Sequence, residues 1–333
     1  VSGGSAVPGG NAPPAPDVAP APAADSAPAP APGRVAVITT ASAARHEHLV
    51  RQRRFLAEAV AGEPESERML RVEVWLDSEE PDDEELDAEE RDGEELATAN
   101  AAGLRADISL HVPPGPGGLR VAAGRNAAAH AAIDAGADLL VFLDVDCLPG
   151  RELLPRYRDA AARHPEAILS GPVTYLASVQ RPELIDDLPA LRRPHRARPA
   201  PAPGALVTAP DAQYDLFWSL SFALTASTWH RLGGFDESYE GYGAEDTDLA
   251  WTARSRGIPL IWVGGADAFH QWHPTSSPPW AHLDAILRNG AVFADRWGTW
   301  PMGGWLDAFA AAGAVEHRDG TWRRAPDGPV RRR

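Results

Sequence analysis

Two carboxylates one residue apart, Asp144 and Asp146, follow directly on the apolar run at 138–143 (DLLVFL). At a strand's end such a pair points to one side with about 7 Å between the two residues, so it can divide the holding of a cation and of a hydroxylated ligand. The D-x-D spacing alone describes a solvated turn equally well. Its place after a buried strand makes it a candidate, because an α/β sheet keeps its ligands beyond the carboxyl ends of its strands. A second group is Glu245, Asp246 and Asp248 behind Gly243, preceded by Gly233-Gly234-Phe235-Asp236. The helix macrodipole favours acids at a helix start, but capping needs one or two, not three beside a flexible glycine approach. His270 and His273 in FHQWH form a third. Structural or solvated histidines are the commoner use of such a pair, while imidazole suits Mn²⁺ and similar ions where carboxylates complete the shell. The fourth is Arg125-Asn126, in which Arg125 is either a phosphate partner or an exposed helix charge.

These groups need elements to hold them. VAVIT at 35–39 has the length and β-branching of a buried strand, and a helix over 47–61 follows, closed by Gly62. Residues 71–76 alternate as a second strand, and 108–112 form a further short one. An Ala-rich helix over 121–135 closes at Gly136 and leads into the buried strand at 138–143. Beyond it, 214–225 is strand-like, 227–232 a short helix, 245–256 a helix capped by Gly257 and 259–263 a strand. Strand and helix alternate, which predicts an α/β domain with a mostly parallel sheet.

Composition narrows the rest. Residues 1–33 hold nine Pro, ten Ala and five Gly, a mixture that cannot bury enough apolar surface to order itself. The net charge of −16 is concentrated in 77–95, where 13 acids face one arginine; such density predicts a solvated loop over 77–96. The Pro-rich stretch 182–210 reads as a surface excursion or lid. The domain is therefore expected over 34–310, with a C-terminal extension at 311–333. The absence of a positive body argues against nucleic acid as a partner. All 31 basic residues are arginine, which excludes Schiff-base and Walker-A chemistry. A single cysteine, Cys147, excludes an intrachain disulfide and Cys-rich metal sites. No apolar run approaches the roughly 20 residues of a membrane span, so the expected location is the cytoplasm or the inner membrane face. Ten of eleven tryptophans lie from Trp218 onward, as core filling or as stacking surfaces for ring-shaped ligands.

The ordered set of DVD at 144–146, GGFDE at 233–237, GxEDTDL at 243–249 and a strand leading to H-x-x-H resembles glycosyltransferases of the GT-A fold. In particular it resembles the family-2 galactosyltransferase-like group, whose C-terminal module is shared with animal β-1,4-galactosyltransferases. The similarity spans about 34–300. It implies a Rossmann-like nucleotide-diphospho-sugar transferase fold, with a mixed, mostly parallel sheet flanked by helices. It also implies a UDP-hexose donor, galactose-like, and a glycan, lipid or small-molecule acceptor. By the same resemblance Asp144 contacts the donor ribose, while Asp146 with His273, and His270 where the animal enzymes have Met, holds Mn²⁺ or Mg²⁺. Asp246 is the implied catalytic base. Glu245, Asp248 and Tyr242 belong to the acceptor site, Tyr242 standing where the animal enzymes have Trp. Ser221, within the segment 219–223, lines the donor sugar, and Thr39 and Asp77 lie at the nucleoside. Arg125 and Asn126 complete the donor site.

The residue chemistry agrees with that scheme: an acceptor hydroxyl needs a carboxylate such as Asp246 to take its proton as it attacks opposite the leaving group, giving inversion. A nucleotidyltransferase would need a Gly-rich phosphate loop and a lysine, and TTASAARHEH at 39–48 supplies neither. The non-enzymatic rival is a degenerate relative that binds a nucleotide-sugar or glycan without turnover.

Overall fold

Along β1 (Val35–Ala41) successive side chains serve two different cores. Ala36 and Ile38 face one, and Val35 and Val37 the other. β4 (Leu139–Leu143) does the same, with Leu140 and Phe142 on the first side and Leu139, Val141 and Leu143 on the second. A strand covered on both faces has no polar alternation to show, which is why DLLVFL is a continuous apolar run. α2 (Val121–Asp134) covers the first face with Ala122, Ala128, Ala129 and Ala132. The second face is covered by Leu56 and Val60 of α1 (His46–Val60) and by Leu153, Leu154, Tyr157 and Ala160 of α3 (Leu153–Arg163). The computed structural model describes residues 33–61, 69–77, 105–326 and 328–329. The expected Pro/Ala-rich tail, but for Gly33, and nearly all of the expected acidic loop lie outside the described residues.

β2 (Met69–Trp75), β3 (Ile108–His111), β6 (Ile168–Ser170), β8 (Leu206–Thr208), β9 (Ser221–Thr225) and β10 (Leu260–Val263) join β1 and β4 in an eight-stranded sheet of order 3-2-1-4-9-6-10-8. β3, β2, β1 and β4 run parallel, as do β6 and β10. β9 is antiparallel to both β4 and β6, and β8 to β10. The molecule thus has the expected mixed α/β architecture, a mostly parallel sheet flanked by helices. A three-stranded sheet of order 5-11-7 is formed by β5 (Cys147–Pro149), β7 (Val173–Tyr175) and β11 (Ala268–His270). Its register sets His270 opposite Cys147 on one side and Tyr175 on the other. β5 starts directly after Asp146 and β11 ends on His270, so this pairing alone brings the D-x-D and the histidines together.

Three expectations change. Of the strand-like run 214–225 only β9 is a strand, because residues 211–216 form a 3₁₀ helix. Its Tyr214 hydroxyl donates to the Ile258 carbonyl and accepts from the Leu260 amide. The Pro-rich excursion carries a strand of the main sheet: β8 pairs with β10, and the His195 amide donates to the Val173 carbonyl. Finally, α4 (Ala226–Leu232) and α5 (Glu245–Ser255) lead to α6 (Leu283–Trp297), α7 (Gly303–Ala311) and a hairpin of β12 (Val315–Arg318) and β13 (Thr321–Arg324). Ala314 and Val315 are buried with Leu283, Ile286, Leu306 and Phe309. The expected boundary at 310 falls inside α7, and the residues up to the hairpin belong to the packed body. Among the described residues no helix is long and apolar enough to cross a membrane.

Candidate active site

Asp146 leaves the sheet in the turn between β4 and β5, where the Cys147 amide donates to the Asp144 carbonyl at 2.8 Å. Its Oδ1 lies 3.5 Å from His270 Nε2 and its Oδ2 lies 3.3 Å from His273 Nε2. One ligand atom from each of the three residues falls within 4.8 Å of the others. The Gln271 amide donates to the Asp146 carbonyl at 2.6 Å and fixes the segment between the two histidines. Burial pushes the Asp146 carboxyl up, but the hydrogen bond to His273, the charges of His270 and His273, and Arg45 outweigh it and hold it low. An ionised carboxylate facing two imidazoles is a mixed O/N donor set that fits a divalent ion of the Mn²⁺ type.

Asp144 turns elsewhere. Its Oδ1 accepts from Arg125 Nη2 at 2.7 Å, and Arg125 Nη1 lies 3.5 Å from Glu245 Oε1. The buried guanidinium, 5.2 Å from the Phe235 ring, therefore joins the two acidic motifs across the cleft. The two carboxylates of the D-x-D diverge, Asp146 to the histidines and Asp144 to arginine, instead of sharing one ligand through parallel side chains. Burial pushes the Asp144 carboxyl up, only partly offset by Arg125. Glu245 is pushed up to about 7, first by burial and then by the charge of Asp246, with Arg125 opposing. Its ordinary value is 4.5, so the folded state holds the extra proton between those two values. The stability this group contributes is full below the lower value and is lost as pH rises through about 7. Glu245→Gln is expected to gain melting temperature on the wild type progressively from about pH 5 to about pH 8. A difference that stays constant across that window would contradict the shift.

The start of α5 is built on strained backbone. Gly243 has φ 91° and Ala244, the N-cap, has φ 79°, a region that costs an L-residue roughly 1–2 kcal/mol. Asn289 of α6 holds the approach in place, its Nδ2 donating to the carbonyls of Glu240, Tyr242 and Gly243 at 3.0, 3.2 and 2.9 Å. Glu245 and Asp246 face Tyr242, which is 38% exposed and stacked on His282 at 4.3 Å. Burial and then these carboxylates push the Tyr242 hydroxyl up to about 12. Asp246 Oδ1 accepts from the Thr247 amide at 2.7 Å. Burial pushes its carboxyl up against that hydrogen bond.

Several expected site residues lie elsewhere. Asp248 is 1% exposed, and its carboxylate accepts from Trp297 Nε1, Arg296 Nη1 and the Tyr239 hydroxyl. Two residues beyond Asp246 on a helix of 3.6 residues per turn, it points into the α5–α6 contact. Thr39 is buried between β1, β4 and α1, where its hydroxyl meets Gln52 Oε1 and the Leu143 carbonyl. β1 continues two residues past Thr39, so this side chain is interior. Ser221 is fully buried and shares a hydrogen bond with the Tyr157 hydroxyl, on the α3 side of β9. Asn126 clamps the GGFDE turn: its Nδ2 donates to the Phe235 carbonyl and Glu237 Oε1, and its Oδ1 accepts from the Phe235 amide. A Cβ on Gly234 would come 2.7 Å from that Oδ1, so glycine is required beside the clamp. Asp77 is at the end of β2, with Oδ2 accepting from the Ala43 amide and Oδ1 buried without a partner among the described residues. It stays open to a donor group.

The sequence reading missed four contributors. Arg45 Nε lies 4.0 Å from Asp146 Oδ2, and Tyr175 stacks on His270 at 4.5 Å. Gln271, which holds the histidine segment, and Asn289 are the others. Nothing in the spacing of 31 arginines marks Arg45. Asn289, a polar residue on the buried face of an amphipathic helix, was legible as an anomaly.

Residues 206–261 match the family described as N-terminal domain of galactosyltransferase. That stretch carries β9, the GGFDE turn and α5 with its three acids. Validoxylamine A glucosyltransferase of Streptomyces hygroscopicus subsp. jinggangensis (strain 5008) is 31% identical over 159 residues, 43% of this chain and 37% of that protein. The same enzyme of subsp. limoneus is also 31% identical over 159 residues, 34% of its length. The chain thus spans little more than a third of the curated relatives it matches. Among solved structures, GalNAc-T7 with UDP, GalNAc and Mn²⁺ aligns at a TM-score of 0.49 with 12% identity, covering 77% of this chain and 48% of that one. S. aureus TarS 1–349 in complex with UDP aligns at 0.48 with 14% identity, covering 78% and 65%. In sequence, then, this chain shares with glycosyltransferases the segment that bears the acidic helix start.

Proposed function

We propose that the chain is a GT-A-type glycosyltransferase of the galactosyltransferase-like group, moving a galactose-like hexose from a UDP-hexose to an acceptor hydroxyl with inversion. The observation that carries this reading is the pairing, at the carboxyl end of β4, of the Asp146–His270–His273 donor set with the Asp144–Arg125–Glu245–Asp246 cluster. The match of 206–261 to a galactosyltransferase domain and the relatives named as glucosyltransferases support it. Asp146, His270 and His273 would hold Mn²⁺ or Mg²⁺, which when bound would supply Lewis-acid neutralisation of the departing diphosphate.

The protein's own groups do the rest. Of the three acids at the start of α5, Glu245 is tied to Arg125 and Asp248 is enclosed by three donors. Asp246 keeps Oδ2 for the acceptor hydroxyl, whose proton it takes as the sugar is attacked. Arg125 fixes Asp144 of the donor site against Glu245 of the acceptor site, and Asp77 meets the nucleoside. Tyr242, backed by His282, presents a ring face to the acceptor.

A donor-hydrolysis screen tests the reading without knowledge of the acceptor. With Mn²⁺ present, slow UDP release from one UDP-hexose above all other nucleotide-sugars is the expected result. UDP binding by calorimetry with no donor consumed, even across a panel of glycan acceptors, would show a binding protein in place of an enzyme.

A further inference from the structure

Among the described residues no carboxylate forms an ion pair with Arg198, a buried cation beside the cleft. Arg198 is 6% exposed, and its Nη2 donates to Ser170 Oγ at 2.7 Å and to the Gly171 carbonyl at 3.4 Å. Its Nε and Nη1 are sealed from solvent without a partner among the described residues. The guanidinium lies between the rings of Trp218 and Trp262, at 5.3 and 5.4 Å. Ring faces favour a cation but leave its N–H groups unmet. Burying a charge without its partner is costly enough that proteins seldom do so except where something else completes the pair.

The surroundings say on which side the missing group arrives. Ser170 pairs with Phe222 in the β6–β9 ladder, and Trp218 immediately precedes the 219–223 segment expected to line the donor sugar. From Trp218 a continuous run of rings leads to the metal-binding triad: Trp218 to His195 at 5.0 Å, His195 to Tyr175 at 5.6 Å and Tyr175 to His270 at 4.5 Å. Tyr175 and His195 are exposed, and Trp218 is half-buried. Of these rings, that of Trp218 covers Arg198 on that side. A carboxylate whose charge reaches it is that of Asp246. Residues 192–196, just before Arg198, line an open cavity of about 530 Å³.

The geometry points to Arg198 as an oxyanion-binding residue of the donor site, whose free Nε and Nη1 pair with an oxyanion of the nucleotide-sugar once the half-buried Trp218 ring over it turns aside. This rests on the nucleotide-sugar reading above. Two parts of such a donor carry the chemistry: the diphosphate, and a carboxylate on the transferred sugar if that sugar is a hexuronic acid. A planar guanidinium suits both, through paired N–H donors.

Calorimetric titration of uridine, UDP, UDP-glucose and UDP-glucuronate into wild type, Arg198→Met and Arg198→Lys, together with ligand-free melting temperatures, tests the inference. Arg198→Met is expected to weaken the oxyanion-bearing ligand by about 10-fold or more and to leave uridine unchanged. A loss shared by UDP, UDP-glucose and UDP-glucuronate assigns the diphosphate, and a loss confined to UDP-glucuronate assigns a sugar carboxylate. The ligand-free melting temperature of Arg198→Met is expected to hold or rise, because an unpaired buried charge is replaced by an apolar chain of similar length. A lower melting temperature with all affinities at wild-type level would make Arg198 a strut for its loop and overturn the inference. Should Arg198→Met fail to fold, Arg198→Lys decides: it keeps the charge and loses the fork, so unchanged affinities there overturn the proposal as well. Wild type that binds none of the four ligands would overturn the nucleotide-sugar reading itself, an outcome distinct from wild-type binding that Arg198→Met shares.

Discussion

Asp246→Asn is expected to lower turnover by roughly 10²-fold or more while UDP affinity stays within a few-fold of wild type. The amide keeps the shape of the carboxylate and can still accept from the Thr247 amide, so the helix start is preserved. What it loses is the capacity to take a proton. Asp248→Asn is the matched control, since it removes the same charge two residues away. Its carboxylate bridges α5 to Arg296 and Trp297 of α6, so its loss should appear in the melting temperature more than in turnover. Steady-state rates with the donor found by the screen, alongside UDP titrations of both variants, separate the cases. Near-wild-type turnover in Asp246→Asn would sink the assignment, and lost UDP binding would move Asp246 into the donor site.

The second large effect concerns Asp146. Because its two oxygens address different imidazoles, His270 on Oδ1 and His273 on Oδ2, it is the centre of the donor set, and Asp146→Ala leaves two unconnected histidines. UDP affinity in the presence of Mn²⁺ is expected to fall by about 10- to 100-fold in Asp146→Ala, to the level wild type shows in excess EDTA. The variant itself should then be insensitive to EDTA. UDP binding equally tight with and without chelator in wild type would mean that the triad plays no part in holding the donor.

How much of this was legible beforehand depended on what each signal encodes. Apolar runs and helix stops located β1, β4, α2 and α5 within a residue or two, because strand burial and glycine closure are local properties. Motif position likewise led to Asp146, His270 and His273. Which way a side chain points was not legible. Thr39 and Ser221 enter the expected donor site only by family resemblance, which carries no side-chain direction, and pairing puts their hydroxyls inside, on Gln52 and Tyr157. Asn126 was read beside Arg125 as a ligand group, but the next position along a helix faces another neighbour, here the Phe235 backbone. Tyr214 and Phe217, three apart, carried a 3₁₀ signal that the apolar character of the run concealed. The orphaned guanidinium of Arg198 had no sequence signal among so many arginines.

The insertion of antiparallel β9 between β4 and β6 has a consequence for how the chain reaches its native state. β1 finds β4 across about a hundred residues, and β4 then waits for β9, whose register sets Leu143 against Ser221. The triad needs a still later event, the arrival of β11 beside β5. Pairings that close such long loops lose much chain entropy before they gain contacts, so they form slowly and late. The helices and the β1–β2–β3 ladder can form while the cleft is still in pieces. If the chain binds the proposed nucleotide-sugar, that binding reports the last stage of folding, and a kinetically trapped chain could be rich in secondary structure and yet blind to its ligand.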